Sequence, residues 1–450
     1  MSRIIVVGTG MAACGAAHRL AAAGAQSILY DRKPHCGGHT ASHRFPEGFT
    51  LDEGPHVSFT TNEHVRALLA GNVQQQYGEH HARVNNYWQG HWIRHPAQCN
   101  LYGLPHDLVV NVITDLVKAR EPRESKIENF EQWLRAKFGD TFAETFPMKY
   151  TRKYHTTAAA NLTTEWVGPR LYQADLEEVL RGALTADTSD LHYITSFRYP
   201  NQGGFFSYLP PFYEKATVKL NHELIRIRPR TRQLHFQNGA TDTYDHLISS
   251  VPLPVLIPLI EGAPRDVLEA ARRLACSEAV IVSVGVGRPD PIDAHWTYFY
   301  DEDIFFTRLS TPHLQSPSNV PDGCACLMAE CYYSDKYRPL DRRPEDCIEP
   351  VIRDLKKCGI LLDEDRIVFR HAMHLKYANI IFDHDRKAAL DVVHGFLDDI
   401  GVRTCGRYGL WGYLWTDQAF LSGENAAERV LRDGTGAARR PENELGARAT

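Results

Sequence analysis

The chain of 450 residues, with 43% hydrophobic and 23% charged residues and a formal charge of -5, has the composition of an ordinary globular protein with volume for two or three domains. No basic excess points to nucleic acid, and the apolar stretch 12–25 is interrupted by His18 and Arg19, which argues against a signal peptide or a membrane span. The expected location is the cytoplasm. Ten cysteines are scattered without a C-x-x-C pair and read as reduced thiols. The close histidine pairs His80-His81, His91/His95 and His371/His374 lack an obvious third ligand and read as solvated or loop residues, so no metal is expected.

In chain order, the apolar run Ile4–Val7 predicts a strand, Gly8-Thr9-Gly10-Met11-Ala12-Ala13 a tight glycine turn, and the alanine-rich stretch from Cys14 to Ala23 a helix. A second apolar run, Ser27 to Tyr30, ends in Asp31. Strand, glycine turn, helix, strand and acid at this spacing predict a dinucleotide site. Gly8 and Gly10 leave room for a pyrophosphate, the helix start offers free N–H groups and a positive dipole end, and Asp31 falls where an acid meets a ribose hydroxyl.

After Arg32 comes a second glycine pair, Gly37-Gly38, followed by His39 and Thr40. This pattern resembles the N-terminus of flavoproteins that bind FAD in the manner of glutathione reductase, where an extended cofactor needs backbone contact beyond its adenosine half. Pro46 to Phe59 predicts a hairpin closed at Glu47-Gly48 and followed by the turn Gly54-Pro55 ahead of His56.

Pro46 to Phe59 also resembles the P-E-G-F, acid, G-(G/P)-H segment of the UDP-galactopyranose mutases. Further stretches match that family in order. They are Trp92 to Pro105 (W-x-x-x-P-x-Q-x-N), Tyr150 to Tyr154 in a helical insert, Trp166-Val167-Gly168-Pro169-Arg170, Tyr199 to Gly204, Phe305 to Pro321 around Arg308, and Cys405 to Ala427 with its G-R-Y-G and D-Q motifs. Val218 to Leu220, Leu224 to Ile227, Leu234 to Phe236 ahead of the Asn238-Gly239 turn, and Tyr244 to Pro252 read as short strands. Val280 to Gly287 and Trp296 to Leu309 have strand composition, the latter with a turn at Asp301-Glu302-Asp303.

The implied fold class is α/β: a Rossmann-like FAD-binding domain of the glutathione reductase type, with an inserted helical segment and an α+β substrate domain. The expected division is 1–70, 215–255 and 400–432 for the FAD domain, 71–214 for a mainly helical insert covering the substrate, and 256–399 for the substrate domain with its sheet. The tail 433–450 is expected to be disordered.

The resemblance implies FAD as cofactor. Its expected contacts are Gly8, Gly10, Met11, Ala12, Ala13, Asp31, Arg32, Gly37, Gly38, His39, Thr40, Gly54, Pro55, His56, Val218 near the adenine, Gly406, Arg407, and Asp417, Gln418 and Ala419 at a helix start. It further implies His56 beside the flavin, Arg170 and Arg308 gripping a nucleotide-sugar pyrophosphate, and Tyr377 and Tyr413 as further substrate contacts, with His56, Arg170 and Arg308 as catalytic residues. In the favoured reading, reduced flavin N5 is the nucleophile at the anomeric carbon of a nucleotide sugar, and ring forms interconvert. The alternative is an oxidase or dehydrogenase of the protoporphyrinogen oxidase or amine oxidase type, taking a hydride from a small substrate. Two departures from the mutases bear on this choice: Ala378 follows Tyr377 where they carry proline, and the Gly54-Pro55-His56 segment lacks the second histidine of the bacterial enzymes.

Overall fold

The computed structural model describes residues 2–121, 126–188 and 194–434. Its organising sheet has five parallel strands in the spatial order Val402–Thr404, His246–Ser249, Ile4–Val7, Ser27–Tyr30 and Thr217–Lys219. Ile4–Val7 lies at its centre and is buried in all four residues, which is why it reads as a continuous apolar run rather than an alternating one. Because the strands are parallel, their C-terminal ends share one edge of the sheet, where an open α/β sheet places its ligand.

The helix Met11–Ala22 crosses the sheet and packs lengthwise on the helix Thr416–Gly434. Glycines set that contact. A Cβ on Gly15 would stand 1.9 Å from the Phe420 carbonyl oxygen, and one on Gly423 would stand 1.8 Å from that of Ala12. Only glycine permits backbones this close. Asp433 and Gly434 belong to the end of this helix, and the remainder of the predicted tail lies outside the described residues.

A second sheet has seven strands in the order Ile367–Leu375, Glu278–Val286, Ala325–Tyr333, Arg308–Ser310, Trp296–Phe299, Val84–Trp88 and His91–Arg94. Glu278–Val286 and Ala325–Tyr333 pair antiparallel along their whole length, and every residue of both is buried. The last two strands come from the region 71–214 and complete the sheet of the following region, with Val84–Trp88 pairing in parallel with Trp296–Phe299. Their hairpin turns on Gln89 and Gly90, with φ of 46° and 83°, the left-handed pair that a two-residue hairpin loop requires. The histidine pairs His80-His81 and His371/His374 sit in strands rather than loops, in Tyr77–His81 and Ile367–Leu375, while His91 opens the strand His91–Arg94 and His95 lies just past its end.

Apart from these strands and the antiparallel pair Tyr77–His81 and Ser196–Pro200, the insert is built mainly of helices. Phe130, Leu134, Phe138, Phe142 and Phe146 recur every fourth residue and are all buried, so one stripe of large rings carries this core through the Gly139 bend.

Val218 departs from its expected place. It lies in the edge strand Thr217–Lys219 and packs with the helix-side cluster, while the chain reaches the sheet's open edge three residues later, at His222-Glu223-Leu224. Alternation along the strand turned Val218 toward the helices.

Candidate functional site

At the shared C-terminal edge of the parallel strands opens one elongated cavity of about 560 Å³. Gly8, Gly10, Met11, Ala12, Gly37, Gly38, Gly406 and Ala419 bring backbone to its wall. Gly8 has φ +116°, and a Cβ there would lie 2.1 Å from Ser250 Oγ; one on Gly38 would lie 2.9 Å from Gly10 Cα. The two glycine pairs therefore nest against each other. Gly10 occupies the N-cap of Met11–Ala22, so no side chain caps that helix and its first turn carries no acid. Unfilled N–H donors and a positive dipole end are thus presented to the cavity.

Asp31 sits at the end of its strand. Oδ2 accepts from Thr9 Oγ1 at 2.6 Å and Oδ1 from the Lys33 amide at 2.9 Å, which fixes the carboxylate while leaving acceptor capacity for a pair of hydroxyls. Arg32, His39, Thr40 and Pro55 also line the cavity. Residues that sequence reasoning missed complete this end: His222 to Leu224, and Ser250 to Pro252. Their signal was available, because each follows a parallel strand and must emerge at the same edge.

On the same wall, Lys33 Nζ donates to both oxygens of buried Glu53, at 2.7 and 2.8 Å, and His43 Nε2 stands 3.1 Å from it. Burial pushes the Glu53 carboxyl up, but the His43 and Lys33 contacts outweigh it and hold the group at about 2. His56 Nδ1 is 2.9 Å from the Gly54 carbonyl oxygen. Burial lowers this imidazole to about 4, so it is neutral near pH 7, donates from Nδ1 and keeps Nε2 as an acceptor.

Side chains from distant elements converge at the far end. Arg308, on its short strand, faces Glu330 on the next, and the register pairs them directly. Arg308 Nε and Nη2 donate to the two Glu330 oxygens at 2.5 and 2.8 Å, and the Tyr332 hydroxyl donates to the same carboxylate. Burial alone would lower the Arg308 guanidinium; Glu330 and Tyr332 more than compensate and leave it well above its ordinary value. Glu330 was not anticipated, although an acid inside the apolar run from Cys324 to Tyr333 signals a buried partner. Tyr154, Tyr298 and Tyr413 line the same end, with the Tyr154 and Tyr413 hydroxyls 2.7 Å apart. Tyr377 also reaches the wall.

Several predicted residues stand one layer back. Arg170 is outside the cavity lining: it donates to the Trp166 and Tyr413 carbonyls at 3.0 and 2.7 Å and lies over the Tyr413 and Trp415 rings at 4.4 and 4.7 Å. Arg407 lines the cavity and donates to the Leu414 carbonyl at 2.9 and 2.6 Å and to that of Ala378 at 3.2 Å, which fastens the 411–416 loop to the strand exit at Tyr377. Ala13 and Gly54 also lie behind the lining. Asp417 accepts from Thr60 Oγ1 at 2.6 Å, and Gln418 accepts from the Trp415 amide at 3.0 Å, so both are spent on the start of the last helix while Thr416 and Ala419 reach the wall.

A glycine-nested helix start, a fixed acid and a long cavity leading to a polar far end define a dinucleotide-binding flavoprotein architecture. The sequence signature of flavin-containing amine oxidoreductases matches residues 15–431, and the chain belongs to that family. Its fold is similar to that of a reduced UDP-galactopyranose mutase, with 26% identity, 96% of each chain covered and a TM-score of 0.90. A protein from Exiguobacterium sp. 255-15 named for protoporphyrinogen oxidase is similar over 96% of this chain and 99% of its own, at 16% identity and a TM-score of 0.74. A fatty acid isomerase from P. acnes is similar over 95% and 98%, at 14% identity and a TM-score of 0.65. No curated protein sequence matches significantly. The chain is a flavin enzyme, and its cofactor is FAD. The cradle fits that group, since the glycine positions a Cβ would fill and the uncapped helix start suit a pyrophosphate, and the Asp31 carboxylate suits a ribose. No described helix is long and apolar enough to cross a membrane.

Proposed function

We propose that this enzyme acts on a nucleotide sugar in the manner of a UDP-galactopyranose mutase, with the adenosine end of FAD at Asp31 and the flavin toward His56 and Arg308. The observation that carries this reading is the Arg308 site, a half-buried cation on the cavity wall, paired with buried Glu330 and sharing its end of the cavity with Tyr154, Tyr298 and Tyr413. The mutase likeness at 26% identity supports it. When bound and reduced, FAD supplies a nucleophilic nitrogen for the anomeric carbon.

The chain's own residues supply charge, orientation and hydrogen bonds. The two bonds to Glu330 use two of the five N–H donors of the Arg308 guanidinium, and the others remain for a substrate phosphate. Glu330 keeps the guanidinium plane fixed, so little order is lost on binding. Tyr154 and Tyr413 offer hydroxyls to a sugar ring, and the neutral His56 offers Nε2 as a hydrogen-bond acceptor. Arg170 acts through Tyr413 and Trp415 as a positioning residue. Hydride removal from another small substrate is the second reading, favoured by Ala378 at the position where the mutases carry proline.

Dithionite-reduced, FAD-loaded enzyme incubated anaerobically with UDP-galactose is expected to yield a ring-size isomer separable by chromatography. The hydride reading prevails if no isomer forms from any nucleotide sugar tried while a small reductant bleaches the oxidised enzyme.

A further inference from the structure

Outside the flavin cavity, three helices bring two imidazoles and a carboxylate together. His18 lies on the helix Met11–Ala22, His64 on Glu63–Asn72 and Glu424 on Thr416–Gly434. Their ligating atoms all fall within 4.8 Å of one another. We propose that His18, His64 and Glu424 form a binding site for a divalent first-row metal ion, with zinc as the probe. None of the three lines the cavity, and their separation in sequence gave no motif to read.

The backbone packing delivers these groups to one point. Gly423 is pressed against the Ala12 carbonyl, so the next residue, Glu424, is set down on the flank of the first helix beside His18. The helix carrying His64 is fixed at its start by Asn62, whose Oδ1 caps the Val65 amide at 3.0 Å, and by Thr60, which bonds to Asp417. His64 Nε2 lies 3.0 Å and His18 Nε2 3.9 Å from Glu424 Oε1. Tetrahedral zinc with bonds of about 2.1 Å holds its ligand atoms roughly 3.4 Å apart, so small side-chain rotations close the set and leave a fourth position for water. Phe212 and Phe420 pack on the His18 ring at 5.8 and 6.0 Å and limit where it can turn. This apolar backing holds a ligand ring in place.

Lys215 Nζ stands 3.2 Å from His18 Nδ1. Metal on Nε2 requires the proton on Nδ1, so this exposed side chain turns away on binding. The other grouping of this kind among the described residues, His35, His43 and Glu53, is of a different nature. There the Lys33 ammonium already sits on both Glu53 oxygens and takes the place a metal would have. Zinc at His18, His64 and Glu424 would clip together three helices, two of which begin at the flavin cavity.

The test uses the full, FAD-loaded protein after dialysis against a chelator, titrated with Zn2+ by calorimetry and followed by thermal unfolding. One zinc per chain and a raised Tm are expected. His64→Ala, at an exposed ring, and Glu424→Gln are each expected to lose at least about tenfold in affinity, with flavin content unchanged. No zinc uptake by the wild type, or wild-type affinity in either variant, overturns the proposal.

Discussion

At the Asp31 end of the cavity the wall rests on glycine turns and on strand ends that one sheet forces into register. At the Arg308 end it is mostly side chains, drawn from a helix, two strands of another sheet and a loop near the C-terminus. The first end recognises a cofactor through close approach and dipoles, which tolerate few side chains. The second sets substrate chemistry through charge and hydroxyls, which only side chains supply. A substitution at the first end is expected to act through fold and flavin retention, and one at the second mainly through turnover.

The strongest test of that contrast is Arg308. Arg308→Ala leaves Glu330 buried without its cation and is expected to cost about 3–5 kcal/mol as well as turnover. Replacing both partners, Arg308→Met with Glu330→Leu, is expected to recover most of the stability and none of the activity, as read by Tm and steady-state rate. An active double variant would show that the far end does not depend on this charge.

Gly15 probes the opposite end. Gly15→Ala drives a methyl into the Phe420 carbonyl and is expected to destabilise by about 1–3 kcal/mol and to loosen FAD, as measured by Tm and flavin absorbance per chain. Per-flavin activity should stay near wild type. A fall in per-flavin turnover with full flavin retention would erase the distinction between the two ends.

The same contrast explains what could be read in the sequence. Ile4 to Asp31 and Gly37-Gly38 carry their meaning in local spacing, because a strand, a turn and a helix fix that geometry within thirty-odd residues. Glu330, His222 to Leu224 and Ser250 to Pro252 were missed because their place follows from strand pairing across the chain. Val218 was misplaced because two faces of one short strand look alike in sequence. Arg170 was expected against a substrate, yet backbone carbonyls at Trp166 and Tyr413 hold it behind the Tyr413 and Trp415 rings, a layer that motif order does not reveal.

Glu53 is the exception at the Asp31 end, a buried carboxylate whose ion pair with Lys33 faces the cavity. Its carboxyl sits at about 2 in the folded chain against an ordinary 4.5, so the folded state binds fewer protons than the unfolded one between these values. The stabilisation is therefore present above pH 4.5 and is lost as pH falls toward 2. Glu53→Gln is expected to lower stability at pH 7 by on the order of 2 kcal/mol, allowing for the part-exposed Lys33, and to converge with wild type near pH 2. Parallel Tm-against-pH curves would assign the acid sensitivity to other carboxylates.

The smallest expected effect is the most local. Burial drives the Tyr154 phenol well above its ordinary value, so it stays protonated at any working pH and can donate across the 2.7 Å contact with Tyr413. Tyr154→Phe removes that bond while the ring keeps its stack on Tyr150 at 5.4 Å, and the stability cost is expected to be about 1 kcal/mol or less. The kinetics discriminate more finely than the Tm. If the Tyr154–Tyr413 pair only braces the 411–416 loop, KM and kcat should both stay within about twofold, since a loss of 0.4 kcal/mol corresponds to a factor of two. If the hydroxyl meets the substrate, the loss should fall in kcat/KM, and Tyr413→Phe should reproduce it, because both phenols face the same side of the cavity. Equal losses in the two single variants with no further loss in the double variant would identify the hydroxyl pair as one hydrogen-bonding unit at the Arg308 end.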